Sequence, residues 1–237
     1  KNVAIVGPAE YMTGTNLGSE IDSHDVVARI NRSIELCDKY KSDIGEKTDV
    51  LYSCLIEKSA NAGRINVNEY RDKGVKYVCI PPKSSMNGFA AGNSISDYAS
   101  NEKLIELNNV VKARIIDYNL NNAIAKKIMC RPNTGYLSIF DLLDCNPRQL
   151  SIYGFSFYLD GFMKGCKSGI EEEENMSEAQ FSRKCFNSKR HIQKNMWLHA
   201  KKTLLVDKKI KIDNTLKLIL ELEDFSVESY NKKKRGI

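Results

Sequence analysis

Short runs of β-branched and aliphatic residues recur along the chain at 3–6, 26–30, 50–54, 75–80, 113–116 and 150–153. Helix-length stretches lie between several of them, at 66–73, 102–110, 119–129 and 135–143, with apolar residues spaced at about 3.6. Short strands that alternate with helices cannot pair as hairpins. They imply a mostly parallel sheet covered on both faces. The expected fold class is therefore α/β, a single Rossmann-like domain with helices on both faces of the sheet. Such a sheet also fixes where a ligand goes, because ligands bind beyond the carboxyl ends of the strands, where loops lead into helices.

The chain of 237 residues suffices for one large domain, and no stretch resembles a linker, so 1–237 reads as one unit. A segment at 156–190 breaks the pattern, with aromatics and glycines early and acids late, and reads as a lid or variable segment. After it, 191–205 has helical periodicity, "KIKID" reads as a short strand and 214–222 as a closing helix. The stretch 81–96, rich in Gly, Ser and Asn, reads as a long functional loop. The acidic run 171–175 reads as exposed loop.

Charge and cysteines exclude several classes. The net charge of +6 comes partly from the tail "NKKKRGI", which reads as a solvated end. No aromatics interleave with it to stack bases, so no nucleic-acid partner is expected. No apolar run approaches the ~20 residues of a membrane span, and no signal-peptide core is present, so membrane association is not visible in this chain. Seven cysteines, odd in number and never spaced as C-x-x-C, give neither a disulfide framework nor a zinc site. No metal site is expected, and a reducing compartment is.

Two stretches carry phosphate-binding character. The strand Val3-Ala4-Ile5-Val6 runs into Gly7, but no G-x-G-x-x-G follows, and Gly14 and Gly18 come too late for a dinucleotide turn. A dehydrogenase would also want an acid closing the second strand, which here ends Arg29-Ile30-Asn31. Gly7 would let backbone approach a ligand, with Pro8-Ala9 keeping the loop tight, and "TGTNLG" would open a short helix facing an anion. That Gly7 merely ends a strand is the alternative. Asn133-Thr134-Gly135, after Pro132, is a polar helix start that offers hydroxyl, amide and backbone donors to a phosphate or ribose. Its alternative is a plain cap.

The letters around these stretches resemble glycosyltransferase family 29, the sialyltransferases. "LGSEIDSHDVVARIN" resembles the family's large sialylmotif, and "DIGEKTDVLYSCL" continues it. "RPNTGYLSIFDLLDCNPRQLSIYGF" resembles the small sialylmotif, and "HIQKNMWLHAKKTLL" the very small motif H-x-x-x-x-E. The chain departs from the pattern in places. Met196 stands at the glutamate position, with Asn195 or the 171–174 run as candidate substitutes. Pro8 stands where an asparagine is usual. Val3 stands where animal members have a cysteine paired with the one matching Cys145. The His- and Tyr-rich motif has no counterpart, and "SFYLDGFMKG" looks like the aromatic loop of bacterial or viral relatives.

The resemblance implies a sialyltransferase-like variant of the GT-A fold and transfer of sialic acid, or the related keto-sugar Kdo, from its CMP conjugate to a hydroxyl of a glycan or glycolipid, with inversion. It implies His191 as general base, and CMP held by Gly7, Pro8, Ala9, Asn31, Ser53, Asn133, Thr134, Gly135, Gly154, Phe155 and Ser156. No cofactor is expected beyond the CMP-sugar itself. No Asp-x-Asp is present to hold a divalent ion, so metal independence is expected. The missing animal-type disulfide points to a cytoplasmic, bacterial or viral-type enzyme rather than the Golgi lumen. The departures at Met196 and Pro8 leave one alternative, a degenerate CMP-binding module without transfer.

Overall fold

The computed structural model describes residues 1–55, 65–85, 88–90, 101–166 and 176–236. Among these, seven strands form one sheet in which every neighbouring pair is parallel. They are β1 (Asn2–Val6), β2 (Val26–Ile30), β3 (Val50–Tyr52), β4 (Tyr77–Ile80), β5 (Lys112–Ile115), β6 (Gln149–Tyr153) and β7 (Ile210–Ile212). The order is β5-β4-β3-β2-β1-β6-β7. The chain thus winds outward from β1 to one edge, returns, and winds outward from β6 to the other. The carboxyl ends of β1 and β6 flank the point where the order reverses, the place where such sheets open a crevice.

The helices are α1 (Gly18–Asp22), α2 (Lys41–Ile44), α3 (Val67–Asp72), α4 (Asn101–Val110), α5 (Tyr118–Ile128), α6 (Thr134–Asp144), α7 (Glu178–Phe186), α8 (Gln193–Thr203), α9 (Asn214–Leu220) and α10 (Val227–Lys234). Alternation along β1 separates the cores. Val3 and Ile5 face a cluster built with α5, α6, α8 and α9, whereas Ala4 and Val6 face a second one with Met12, Ile21 and Ile44. A third cluster packs β3 and β4 against α3 and α4 through Leu51, Val78, Tyr70 and Leu107. Both faces are buried, so the strands read as apolar runs.

Differences from the sequence expectations have local causes. β3 ends at Tyr52: the Ser53 N–H makes the last bond to β4, at the Cys79 carbonyl, and beyond it the Leu55 N–H turns back to Ser53 Oγ while Leu55 sits at a φ of +49°. α7 lies in a stretch expected to be irregular. Its start is a capping box, in which Ser177 Oγ accepts from the Gln180 N–H and Gln180 Oε1 from the Ser177 N–H. α10 lies in the tail expected to be solvated, anchored by buried Tyr230 and by Lys234 at 3.3 Å from Asp160. Of the expected loop 81–96, a bridge joins Ser84 and Ala90, and 86–87 and 91–96 lie outside the described residues. The acidic run 171–175 lies outside them too. Among the described residues, no helix is long and apolar enough to cross a membrane.

Candidate active site

A cavity of about 600 Å³ opens at the crevice where the strand order reverses. Its walls come from the loop after β1, the ends of β2, β3 and β4, the start of α6, the loop after β6, and the approach to α8. Of the residues expected to bind donor, Pro8, Ala9, Asn31, Asn133, Thr134, Gly135, Gly154, Phe155 and Ser156 line it, as does His191. Gly7 and Ser53 do not.

Gly7 shows why its place differs. A Cβ on Gly7 would run into the Gly154 carbonyl, and one on Gly154, at a φ of +73°, into the Gly7 carbonyl. The close approach that excludes a side chain at Gly7 is therefore backbone against backbone, not backbone against ligand. The pair locks the two loops together. Glu10 N–H donates to the Gly161 carbonyl at 2.8 Å, Met163 N–H to the Pro8 carbonyl at 2.9 Å, and Ala9 bridges Phe162. Asp213, just after β7, braces both loops from behind. Its Oδ2 accepts from Tyr11 Oη at 2.8 Å and from the Gly154 N–H at 3.0 Å, and its Oδ1 caps α9 through the Leu216 N–H at 2.7 Å. Burial pushes the Asp213 carboxyl above its ordinary range. Sequence reasoning passed over Asp213, although an aspartate ahead of a helical run is a cap signal.

The expected helix from "TGTNLG" forms as α1, but its start faces inward. Gly18 packs so tightly on the Lys41 and Ser42 carbonyls that a Cβ would collide with them. The start of α6 does line the cavity. Asn133 caps it, Oδ1 accepting from the Tyr136 N–H at 2.8 Å, and the first-turn N–H groups of Thr134 and Gly135 have no partner one turn back. Opposite, Asn31 holds a φ of +48° and accepts through Oδ1 from the Cys54 N–H at 3.2 Å. That bond aligns the ends of β2 and β3 at the cavity floor.

His191 is tied at three points. Its Nδ1 stands 2.9 Å from the Arg131 carbonyl and its own N–H donates to Ser188 Oγ at 3.3 Å, while its carbonyl accepts from Gln193 Nε2 at 2.7 Å. A carbonyl can only accept, so Nδ1 carries the proton and Nε2 keeps its lone pair. Burial lowers the imidazole to about 4, with the Arg131 and Arg190 charges adding to the effect and the bond to the Arg131 carbonyl opposing it. The other two histidines sit elsewhere. His24 Nε2 lies 2.9 Å from Ser151 Oγ and His199 Nδ1 lies 2.6 Å from Tyr136 Oη.

Of the candidates for the role of the family's glutamate, Asn195 does not line the cavity. Met196 is 0% exposed and belongs to the core around Trp197 and Ala200. Asn195 Nδ2 donates to the Ile128 carbonyl at the end of α5, and Glu171–Glu174 lie outside the described residues. What does line the cavity beside His191 is Gln193, which sequence reasoning did not single out. Arg131, Lys184 and Arg190 also line it, and no carboxylate does among the described residues. Such a wall concentrates positive potential and suits an anionic ligand.

The segment 156–190, read from sequence as a lid or variable segment, packs against the sheet's loops where it is described. Ser182 Oγ on α7 donates to the Asp160 carbonyl at 2.6 Å, and Phe181 stacks near Phe162 with centroids 5.4 Å apart. Residues 167–175 lie outside the described part. Among the described residues, no three His, Cys, Asp or Glu side chains gather as metal ligands.

Comparison with known proteins follows the same lines. The family model described as glycosyltransferase family 29 (sialyltransferase) matches residues 1–160. A mammalian sialyltransferase superposes with a TM-score of 0.55 at 17% identity, over 90% of this chain and 68% of that one. A mammalian sialyltransferase in complex with Gal-beta-1-3GalNAc-ortho-nitrophenol gives 0.53 at 17% identity, over 90% and 69%. The sialyltransferase CstII from Campylobacter jejuni, in complex with the substrate analogue CMP-3FNeuAc, gives 0.46 at 13% identity, over 90% and 79%. A search of curated protein sequences finds no match.

Proposed function

The chain belongs to glycosyltransferase family 29, the sialyltransferases, and from that premise we propose that it moves sialic acid, or the related keto-sugar Kdo, from a CMP conjugate to a glycan or glycolipid hydroxyl. One observation carries this. The loop after β1, the capped start of α6 and a histidine with a free Nε2 line a single cavity rimmed by cations.

In this reading the phosphate of CMP meets the first-turn N–H groups of α6, which a helix dipole favours. Pro8, Ala9 and Asn31, together with Gly154, Phe155 and Ser156 of the adjoining loop, face the rest of the nucleotide. The acceptor oxygen attacks the anomeric carbon from the side opposite the phosphate, and the configuration inverts. As the new C–O bond forms, the bond to the phosphate breaks and its electrons pass to CMP. The acceptor proton moves to His191 Nε2. An imidazole near 4 is a weak base, and a bound anionic donor raises it, since a nearby negative charge favours imidazolium. The departing monophosphate is neutralised by helix N–H groups and the cationic rim, so the reaction calls on no divalent ion. A reducing, cytoplasmic setting fits seven cysteines that form no disulfide among the described residues.

Thermal-shift and calorimetric titration with CMP, CMP-sialic acid, CMP-Kdo, UDP-sugars and NAD, followed by transfer assays over an acceptor panel, test the reading. Stabilisation by the cytidine ligands alone, with transfer insensitive to EDTA, is the expected outcome; binding of NAD or UDP-sugars in their place would sink it. The burial of Met196 favours a second reading, a module that binds CMP-sugars without turning them over. Neither transfer nor CMP-sugar hydrolysis would then be seen, although CMP binds.

A further inference from the structure

Gln193 is the first residue of α8 and lies two positions beyond His191. It is 2% exposed, yet it lines the cavity. Its Nε2 donates to the His191 carbonyl, whereas its Oε1 is buried and has no hydrogen-bond partner among the described residues. Turning the amide over would set two carbonyl oxygens against each other and lose the bond to His191, so the orientation is fixed by chemistry. Arg131 and Arg190 share the lining, and neither donates to that oxygen. A buried amide oxygen left unmet opposes folding, and native structures keep such orphans chiefly where something else completes them.

The missing partner has a definite chemistry. An amide oxygen repels phosphate and carboxylate oxygens and accepts from a hydroxyl or an amide N–H. The phosphate of a nucleotide sugar goes to the α6 start, and the sugar hangs one bond beyond it, toward His191. Resting on the nucleotide-sugar reading, we propose that Gln193 determines sugar specificity, its Oε1 accepting a hydrogen bond from a hydroxyl or amide N–H of the transferred sugar. The same residue thereby links the sugar to the backbone that positions His191.

Calorimetric titration with CMP, CMP-sialic acid and CMP-Kdo tests this through the preference for a sugar conjugate over CMP. In Gln193→Met, which keeps the volume and loses both polar atoms, that preference falls about ten-fold or more while CMP affinity stays within about two-fold. Gln193→Asn draws the oxygen back from the sugar and lowers the preference likewise, which covers the case in which the Met variant does not fold. Gln193→Glu keeps an acceptor without the amide donor. Its charge weakens all three ligands, but the preference stays within about three-fold of wild type. A preference unchanged in both Gln193→Met and Gln193→Asn overturns the proposal, because a side chain that only holds the His191 carbonyl, or meets the acceptor glycan, would leave it so. Equal wild-type affinity for CMP and its conjugates overturns it as well. Failure of the wild type to bind CMP removes the nucleotide reading itself, and the proposal with it.

Discussion

Residues 17–31 belong to one motif that carries the family resemblance and residues 188–193 run into another, which begins at His191, and the structure uses them in opposite ways. The first stretch is nearly all scaffold. Glu20 accepts from Tyr153 Oη at 2.7 Å, Asp22 from the N–H groups of Glu46 and Lys47, and Asp25 from the Asn2 N–H. Arg29, 0% exposed, donates to the Ile44 and Lys47 carbonyls and to Thr48 Oγ1, with one guanidinium nitrogen unpartnered. Only the last two positions, Ile30 and Asn31, reach the cavity. The second stretch has little regular structure before α8, yet Ser188, Arg190, His191 and Gln193 all line the cavity. Buried polar networks need particular letters to satisfy every donor and acceptor, so a sequence is most distinctive where it is braced, not only where it reacts.

That contrast can be broken by substitution. His191→Ala carries the largest expected effect, a loss of transfer of about 10²–10⁴-fold with CMP affinity and melting temperature retained. Full turnover by this variant would take the base role from His191. Arg29→Ala belongs to the other class. It strands buried carbonyls and opens a void, costing about 3 kcal/mol in urea unfolding, with turnover per folded molecule unchanged. Should Arg29→Ala instead lower turnover without loss of stability, the division between brace and site would fail. Met196→Glu restores the family's letter but places a carboxylate in an apolar core, at a cost of about 2 kcal/mol and with no gain in rate. Asp22→Ala removes the acceptor for two N–H groups of the 46–47 turn, a loss of about 1 kcal/mol that denaturant titration resolves.

The smallest effect is in pH. The imidazole of His191 is lowered in the fold to about 4, from an ordinary histidine value of about 6.5. Between those values the unfolded chain takes up a proton that the folded one refuses, so this group's contribution to stability is present above the upper value and shrinks as pH falls toward the lower one. For turnover, kcat/KM stays within about two-fold from pH 7 to pH 5, and its acid limb appears near pH 4. An acid limb near 6.5 would mean that His191 is solvated in the free enzyme.

The fold was legible because period and composition suffice for it. β2 appears at the residues its run of Val, Ala and Ile marks, and the other strands shift by a residue or two at their ends. α7 escaped notice because its apolar face is short, resting mainly on Phe181, Cys185 and Phe186, although the S-x-x-Q of its capping box was in plain view. The site was legible in part. Pro8 and Asn133–Gly135 follow from the rule that loops beyond parallel strands face the ligand. Gly7 misled because a glycine's missing side chain does not say which neighbour comes close. Gln193 had no signal at all: an amide on a polar helix start looks like any other until tertiary packing buries it and withholds one partner.

The mutual collision that forbids a side chain at either Gly7 or Gly154 has a mechanical result. With the strips 8–10 and 161–163 also stitched together, the two loops form one stiff plate and have no freedom to part like jaws. That plate makes one fixed wall of the cavity, whose lining also includes Lys184 and Arg190. A wall that cannot part leaves any change in the cavity's width to the elements facing it.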